Sequence, residues 1–434
     1  MPQARVAFQY PSFRYFMFAR FLTTAASEMQ SVAVAWQVYS LTKRPLDLGL
    51  VGLAQFLPGM LLFLVAGHTA DHVPRKRILQ TCYFAFSLCS GLLVALTLRG
   101  LTTVWPIYAA LLLNGTVRAF NMPTGQAYLP QLVAEEHFPN AVAWSSSIFQ
   151  AALITGPMTG GLLYSLTGTP VPVYVAAGTA YLTGLLLIAK TRVKAPPRPR
   201  GAASIGAVLG GLRYIWRDKL ILGAISLDLF AVLLGGAVAL LPVYAKEILS
   251  IGATGLGILR AAPGAGAILM AILVAYRPIS RRAGVTMLSC VLGFGICTIV
   301  FGLSRNLAVS LTALAALGAL DMVSVIIRHT VIQLGTPDEM RGRVSAVNMI
   351  FIGASNEVGQ FESGLTAQWL GTVPAVVYGG IGTIVVVAAW AWLFPALRKV
   401  DRLPGQASGS SGDSARRHSD RPDRSSRRRS ERSR

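Results

Sequence analysis

Long apolar segments recur along the whole chain, and no other feature restricts the possible folds as strongly. Each segment reaches the length of about 20 residues that a helix needs to cross the hydrocarbon core of a bilayer. Of the 434 residues, 53% are hydrophobic and only 13% are charged, whereas about 25% of the residues of a soluble globular protein are charged. The sequence therefore predicts a polytopic membrane protein that has no large soluble domain.

The crossing segments should be α-helices, because in lipid only helices and closed barrels satisfy all backbone polar groups. The period-two alternation of barrel strands is absent, so we assign an all-α fold. Short connections with Gly, Pro or charged residues separate twelve predicted transmembrane helices, which lie at 13–40, 46–67, 77–98, 103–126, 138–165, 170–190, 219–245, 251–276, 284–304, 306–332, 340–369 and 373–396.

The second half of the chain repeats the first. A shift of 205 residues aligns GLAQFLPG, which begins at Gly52, with GILRAAPG, which begins at Gly257, and it also aligns Tyr39 with Tyr244. Matches at one offset indicate two six-helix pseudo-repeats, the architecture of transporters in which one half moves against the other. We divide the chain into an N-terminal six-helix half, a cytoplasmic linker with an interfacial helix, a C-terminal six-helix half and a basic Ser/Arg tail, at 1–190, 191–218, 219–397 and 398–434.

Basic residues define the orientation, because positive charge in short loops is retained in the cytoplasm. The loops on the side of the N-terminus hold most of these charges; we call this side the terminal face and the other side the opposite face. Both termini are therefore predicted to be cytoplasmic. This topology explains most of the net charge of +21 without a nucleic-acid partner. The basic residues of the terminal face include Arg75, Lys76, Arg77, Arg277, Arg281, Arg282, Arg341 and Arg343.

Two segments outside the predicted crossings have their own character. In the linker, Leu209, Leu212, Ile215 and Trp216 fall on one side of a helix that is predicted to lie at the membrane surface. The tail is a low-complexity Ser/Arg segment without apolar residues, and we expect it to be disordered. Its charge is expected to attract anionic lipid headgroups.

No pattern in the sequence indicates catalysis. The phosphate-binding GxxxxGK[ST], the zinc-binding HExxH, paired CxxC motifs and the GxSxG of hydrolases are absent. The four cysteines fall in apolar segments, where thiols behave as small apolar residues. We therefore expect a monomeric transporter, not an enzyme, with no metal and no cofactor, whose partners are a small-molecule substrate, protons and the lipid bilayer.

Polar and ionisable residues at membrane depth are the candidates for transport chemistry, because an unpaired charge in lipid is unfavourable and seldom lacks a function. A carboxylate removed from water also takes up a proton more readily, which suits proton coupling. Glu28 can alternatively form a structural ion pair with Arg118 or Arg20, and Arg328 can extend its side chain to the membrane surface. The candidates for the proton-coupling and substrate cavity are Glu28, Asp228, Asp321, Asn356 and Glu357.

The segment GHTADHVPRKRIL, residues 67–79, interrupts the apolar sequence with a cluster of charges. It resembles the loop signature G-x-L-x-D-R-x-G-R-K-x-x-L of the major facilitator superfamily, which Gly67, Asp71, Arg75, Lys76 and Leu79 match. Thr, His and Pro stand at positions 69, 72 and 74 instead of the usual Leu, Arg and Gly. The resemblance implies the major facilitator fold, and it makes Gly67, Asp71, Arg75 and Lys76 candidates for a gating loop.

Further segments are similar to the enterobactin-exporter-like, drug-exporter branch of that superfamily. The fifth helix contains GPMTGG, which matches the end of the antiporter pattern G-x-x-x-G-P-x-x-G-G; Gly156, Pro157, Gly160 and Gly161 are expected to bend the helix and let a neighbour approach closely. The resemblance also implies that Arg118 senses or relays a proton and that the protein lies in the bacterial cytoplasmic membrane. The similar segments begin at Val117, Pro139, Gly211 and Phe361.

These features together predict a proton-coupled exporter of small amphipathic molecules, drug-like compounds or siderophore-like metabolites, that works by alternating access. A proton is expected to neutralise Glu28 or a coupled acid. Asp71 is expected to dock on the start of the eleventh helix, TPDEMRGR, where Thr336 fits the N-cap position, when the terminal face closes. Two alternatives remain open: an importer or facilitator on the same fold, and a membrane scaffold that recruits partners through its basic tail.

Overall fold

The computed structural model describes residues 3–193, 205–277 and 282–400. Part of the predicted linker, 194–204, and the predicted tail beyond residue 400 lie outside these described residues. Helices joined by short turns make up the described chain, and no strand occurs within it. A 3₁₀ helix, Gln3–Gln9, precedes the first long helix. The α-helices are α1 (Pro11–Thr42), α2 (Pro45–His72), α3 (Arg75–Leu98), α4 (Trp105–Tyr128), α5 (Phe138–Thr167), α6 (Val171–Lys190), α7 (Ile205–Arg217), α8 (Lys219–Leu234), α9 (Leu241–Val243), α10 (Gly252–Tyr276), α11 (Ala283–Leu303), α12 (Leu307–Gly335), α13 (Asp338–Leu370), α14 (Thr372–Leu393) and α15 (Pro395–Arg398).

Each predicted crossing overlaps an observed helix, and the all-α fold class is confirmed. Within the described residues, eight helical segments are long and apolar enough to cross a membrane on length and composition alone. The long helices α1, α4, α5 and α13 are not among these eight, and three of them carry a charged residue near the middle, namely Glu28, Arg118 and Glu357. The number of twelve crossings therefore stays a prediction.

The predicted seventh helix, 219–245, is not continuous. Asp218 caps its start, since its carboxylate accepts two hydrogen bonds from backbone N–H groups, but α8 ends at Leu234. Gly235 and Gly236 follow; glycine has little preference for a helix and lets other backbone segments come close. A 3₁₀ turn, α9 and a π-helical turn then continue the chain towards α10. The break separates α8, which starts at the terminal face, from the segment that leads to α10.

Helix α7 packs on α13 rather than presenting one uniform apolar side. Ile215 is buried in a cluster that includes Val347 of α13, and Leu212 packs against the same cluster. Leu209 and Trp216 are exposed, Trp216 to 66%. The apolar side of α7 therefore contacts α13 in part and is exposed in part, and the position of α7 at the membrane surface stays a prediction.

The two halves pack in the same way. In the first half α2 packs on α4 and α3 packs on α6, and in the second half the equivalent pairs are α10 with α12 and α11 with α14. The halves meet mainly through two helix pairs, α2 with α13 and α5 with α10. The same packing in both halves agrees with the internal repeat that the sequence predicts, whereas six crossings in each half stay a prediction.

Glycines allow the halves to approach at both contacts. A Cβ atom at Gly257 of α10 would overlap the carbonyl of Pro157 of α5, and one at Gly49 of α2 would lie 2.9 Å from the Cα of Phe361 of α13. These four residues lie in the parts of their helices that lead to the opposite face. The halves are therefore in backbone contact on that side of the molecule.

We predict that Gly257→Ala destabilises the protein. The added Cβ has no room beside the Pro157 carbonyl, and overpacking of this kind costs about 1–3 kcal/mol. Thermal unfolding of the purified protein in detergent should shift to a lower temperature. Gly91→Ala is the matched control, because nothing lies within 4 Å of a Cβ at Gly91; equal effects of the two substitutions would contradict the close contact.

Candidate functional site

Four charged residues from both halves come together near the middle of the long helices. The first half provides Glu28 on α1 and Arg118 on α4, and the second half provides Arg260 on α10 and Glu357 on α13. Glu357 interacts electrostatically with the other three residues. We call these four residues the central quartet. It contains equal numbers of acids and arginines, so it is electrically neutral when every member is ionised.

The ion pairs of the central quartet are crossed between the halves. Arg260 Nε lies 3.9 Å from Glu28 Oε2, and Arg118 Nη1 lies 3.6 Å from Glu357 Oε1. Both separations exceed the length of a charged hydrogen bond, about 2.7–2.9 Å. The partners therefore attract each other as charges without a fixed hydrogen-bond geometry, and each pair can separate when the halves move. The Arg118 side chain is 45% exposed, so the quartet is accessible.

The observed partner of Glu28 differs from both partners considered from the sequence. Arg118 pairs with the other acid, and the Arg20 guanidinium lies over the ring of Phe149, 5.6 Å from its centroid. Arg260 reaches Glu28 because α10 packs on α5, which in turn packs on α1. From the sequence, Arg260 is a residue that could line an outward vestibule, and its pairing with Glu28 is not predicted, although a charge inside the repeated GILRAAPG segment is a visible signal.

Small residues make room for the two carboxylates. Glu357 Oε2 accepts a hydrogen bond from Gln360 Nε2 at 3.0 Å. Both side chains lie against Gly52 of α2, where a Cβ would come within 3.2 Å of their oxygens. Gly156 of α5 lies in the same way against the Cβ of Glu28. Larger residues at these two glycines would push the carboxylates away from their arginine partners.

The predicted helix-bend motif of α5 is a packing centre, and all four of its residues are buried. Gly156 and Gly160 lie against the backbone of α1, whereas Gly161 lies against the backbone of α10. The motif therefore holds α5 between a helix of its own half and a helix of the other half. Helix α5 continues through Pro157 as one helix.

A second polar group lies inside the second half. Arg328 of α12 forms an ion pair with Asp228 of α8, and Asp321 of α12 interacts electrostatically with both. We call these three residues the inner triad. Arg328 and Asp228 are only 2% and 8% exposed. The interpretation of Arg328 as a side chain that extends to the membrane surface is therefore wrong, because its partner holds it inside the bundle.

The structure does not bring Asn356 into either polar group. Its side chain is exposed, and its Nδ2 donates to the carbonyl of Ile352, one turn earlier on α13, at 2.8 Å. The amide is thus bonded within its own helix, although Glu357 is its neighbour in sequence. A role for Asn356 in the substrate cavity stays a prediction.

The predicted gating loop is mostly helical, because α2 extends beyond its predicted end and includes Gly67 and Asp71. The side chain of Asp71 lies outside the described part of the structure, so its docking on α13 stays a prediction. The assignment of Thr336 as the N-cap of α13 is wrong. Pro337 occupies that position with a non-helical backbone, and no side chain caps the helix there.

Arg75 and Lys76, at the start of α3, bind the C-terminal ends of two helices of the first half. Arg75 Nη1 donates to the carbonyl of Ala127 at 2.8 Å, and Lys76 Nζ donates to the carbonyls of Ala189 and Thr191 at 2.7 and 2.8 Å. Cations at these ends satisfy free carbonyls and interact favourably with the helix dipole. The two residues thereby join α3 to α4 and to the end of α6, and their gating role stays a prediction.

A profile of the transmembrane secretion effector family matches residues 4–411, which include both polar groups and the gating segment. The chain belongs to this family of major facilitator transporters. Members of the family are transporters and not enzymes, which confirms the sequence prediction on this point.

Two relatives of this transporter illustrate the family. The enterobactin exporter EntS of Escherichia coli O157:H7 is 26% identical over 409 residues, which cover 93% of this chain and 96% of EntS. The enterobactin exporter EntS of Shigella boydii serotype 4 is 26% identical over 407 residues, with coverage of 92% and 96%. The similarity extends over nearly the whole of both chains.

Solved structures show the same fold at low sequence identity. A bacterial homologue of the human lysosomal transporter Spinster, inward-facing and unoccupied, has a TM-score of 0.71 and 13% identity, with coverage of 93% of this chain and 99% of that chain. A bacterial homologue of the iron transporter ferroportin, inward-facing, has a TM-score of 0.66 and 15% identity, with coverage of 89% and 98%. These likenesses confirm the major facilitator fold.

In this major facilitator transporter, hydrogen bonds between the halves join the opposite face. The Tyr39 hydroxyl on α1 donates to Glu247 Oε1 at 2.5 Å, and Lys246 Nζ donates to Ser40 Oγ at 2.6 Å. The Lys246 ammonium also lies over the ring of Trp36, 5.1 Å from its centroid. We call these five residues the opposite-face latch. No sequence motif marks them, because polar residues near a membrane surface are ordinary in any loop.

The second-half residues of the opposite-face latch occupy a special piece of backbone. Lys246 and Glu247 lie in the π-helical turn that follows the break after α8. π-Helical turns are rare in proteins, and those that occur are often found at functional sites. The latch therefore joins the unbroken helix α1 to an irregular part of the second half.

Tyr39→Phe should open the opposite face in a larger fraction of molecules. Loss of one hydrogen bond costs about 0.5–1.5 kcal/mol, which changes the open-to-closed ratio roughly two- to tenfold. Thr102 and Arg305 are exposed on that face in different halves. Spin labels at Thr102→Cys and Arg305→Cys, in a protein without the native cysteines, report the ratio through the distance between the two labels. Tyr378→Phe, at an exposed tyrosine, is the control. An unchanged distance distribution in Tyr39→Phe would contradict the latch.

Proposed function

We propose that this protein is a secondary transporter that exports small amphipathic molecules, drug-like compounds or siderophore-like metabolites, by proton-coupled alternating access. The observation that carries the proposal is the crossed pairing of the central quartet, in which each half offers one acid and one arginine to the other. Such contacts can exist in one arrangement of the halves and be broken in another, as alternating access requires.

Substrate is proposed to reach the central quartet from the terminal face. On the opposite face the halves are in backbone contact and are joined by the latch, so the path from that side is closed. Arg118 and Arg260 offer guanidinium groups to a substrate that carries acidic groups. Such a substrate competes with Glu28 and Glu357 for the two arginines and loosens the crossed pairs.

A proton is proposed to complete the exchange. When Glu28 or its coupled acid is protonated, the carboxyl group loses its charge and its attraction for the arginine of the other half. One of the two crossed ion pairs is then lost, and the population shifts towards the state in which the halves have separated on the opposite face. The guanidinium left without a partner is unfavourable at this depth, which drives the return once the proton has gone.

Export is supported by the similarity to the enterobactin exporter EntS, and orientation is supported by the basic terminal face, which we place in the cytoplasm. We propose a monomer in the bacterial cytoplasmic membrane with both termini in the cytoplasm. The latched conformation then faces inward, as do the solved homologues of Spinster and ferroportin. Asp71 is proposed to hold the terminal face closed in the other state.

Glu28→Gln is expected to abolish export driven by a pH gradient while the protein stays folded. Glutamine has nearly the same volume as glutamate, but its amide is neutral and cannot exchange a proton in this pH range. The assay measures enterobactin and ethidium, separately, in proteoliposomes with an imposed pH gradient. Glu362→Gln is the matched control, because Glu362 accepts a hydrogen bond from Thr366 and lies outside the quartet. Undiminished gradient-driven export by Glu28→Gln would remove Glu28 from the mechanism.

The same vesicles test the direction of transport. Export coupled to protons predicts that the substrate moves against the direction in which protons flow. Movement together with the protons would indicate an importer, and movement only down the substrate's own gradient would indicate a facilitator. Either result would contradict the proposal.

A further inference from the structure

The inner triad differs from the central quartet in its balance of charge. The quartet sets two acids against two arginines, whereas the triad sets Asp228 and Asp321 against the single guanidinium of Arg328. If all three residues were ionised, one unbalanced negative charge would lie inside the second half. Such a charge is strongly unfavourable at membrane depth, and two carboxylates that share one site do not both ionise readily.

The cation that acts on Asp321 is Arg328, and the arginines of α13, Arg341 and Arg343, lie in the first two turns of that helix. Helix α12 packs on α8, α10, α11 and α13. Helix α11 carries no charged residue, only the thiols of Cys290 and Cys297, and Arg260 of α10 and Glu357 of α13 belong to the quartet. His329 of α12 interacts electrostatically with the triad, but its side chain is exposed and the guanidinium beside it repels a second positive charge.

We infer that the inner triad is a proton-binding site within the second half, separate from the central quartet. One of the two carboxylates, Asp228 or Asp321, binds a proton, and Arg328 balances the carboxylate that stays ionised. A proton suits the site better than a metal cation, because a proton needs one oxygen atom, whereas a metal ion needs several ligands and is repelled by the guanidinium.

The Arg328 guanidinium can stabilise an ionised carboxylate of the triad whether or not the proton is bound. Arg328 is almost completely buried, and its Nε has no hydrogen-bond partner among the described residues. When the proton leaves, the charge of the same guanidinium acts on both carboxylates. A buried donor without a partner is otherwise unfavourable, so the arrangement favours a group that gains and loses charge beside it.

The binding of a proton by the inner triad does not depend on the proposed function. Only the role of this proton in transport rests on the proposed function. Asp228 lies on α8, and Asp321 and Arg328 lie on α12, so the proton is held between two helices of one half. The second half therefore carries this proton as a body when it moves. The proton is not bound at the arginines of the quartet, where the substrate is proposed to bind.

Infrared spectroscopy of the purified full-length protein in lipid, in water and in heavy water, tests the inference without a substrate. At neutral pH the protein should show a protonated carboxyl band that is lost in Asp321→Asn, because the remaining Asp228 carboxylate is balanced by Arg328. Asp228→Asn should lose the same band, because the remaining Asp321 carboxylate is then balanced by Arg328. This variant provides the test if Asp321→Asn does not fold. Glu28→Gln is the matched control and should keep the band.

Arg328→Gln has the opposite expectation, because two carboxyl groups without a cation should both be protonated and the band should grow. A band that is unchanged in both Asp→Asn variants would overturn the inference. A failure of the proposed function is distinguishable from this result. Export in proteoliposomes would then be absent, whereas the protonated carboxyl band and its loss in the two Asp→Asn variants would remain.

Discussion

The pairing of charges at membrane depth is the interaction on which the rest of the structure depends. Glu28 and Glu357 each lie beside an arginine of the other half, and a carboxylate in this environment is tolerated only with a partner. The two halves must therefore lie close together for the quartet to exist. The glycine contacts between α5 and α10 and between α2 and α13 supply that closeness.

Each half is held as a body by other interactions, which leaves the interface between the halves free to change. In the first half, Arg75 and Lys76 tie α3 to the ends of α4 and α6. In the second half, the inner triad ties α8 to α12. The break after Leu234 separates the latch segment from the rest of its helix. We therefore expect movement at the interface between the halves.

Apolar runs were sufficient to predict the helices, because a lipid-exposed segment has no stable alternative to a helix. The break after Leu234 escaped prediction, since the segment stays apolar through its two glycines and hydropathy does not record lost hydrogen bonds. Charge at membrane depth marked Glu28 and Glu357 as candidates. The pairing of Glu28 with Arg260 could not be predicted, because it depends on how α5 lies between α1 and α10, which no local pattern encodes.

A double-mutant cycle on Glu28 and Arg260 tests most directly whether the crossed ion pairs hold the halves together. The measured quantity is the fraction of molecules with an open opposite face, from distances between spin labels on that face. We predict that Glu28→Gln and Arg260→Gln each raise this fraction and that the double variant raises it no further, because one and the same pair is lost in all three. Fully additive effects of the two substitutions would contradict the crossed pair.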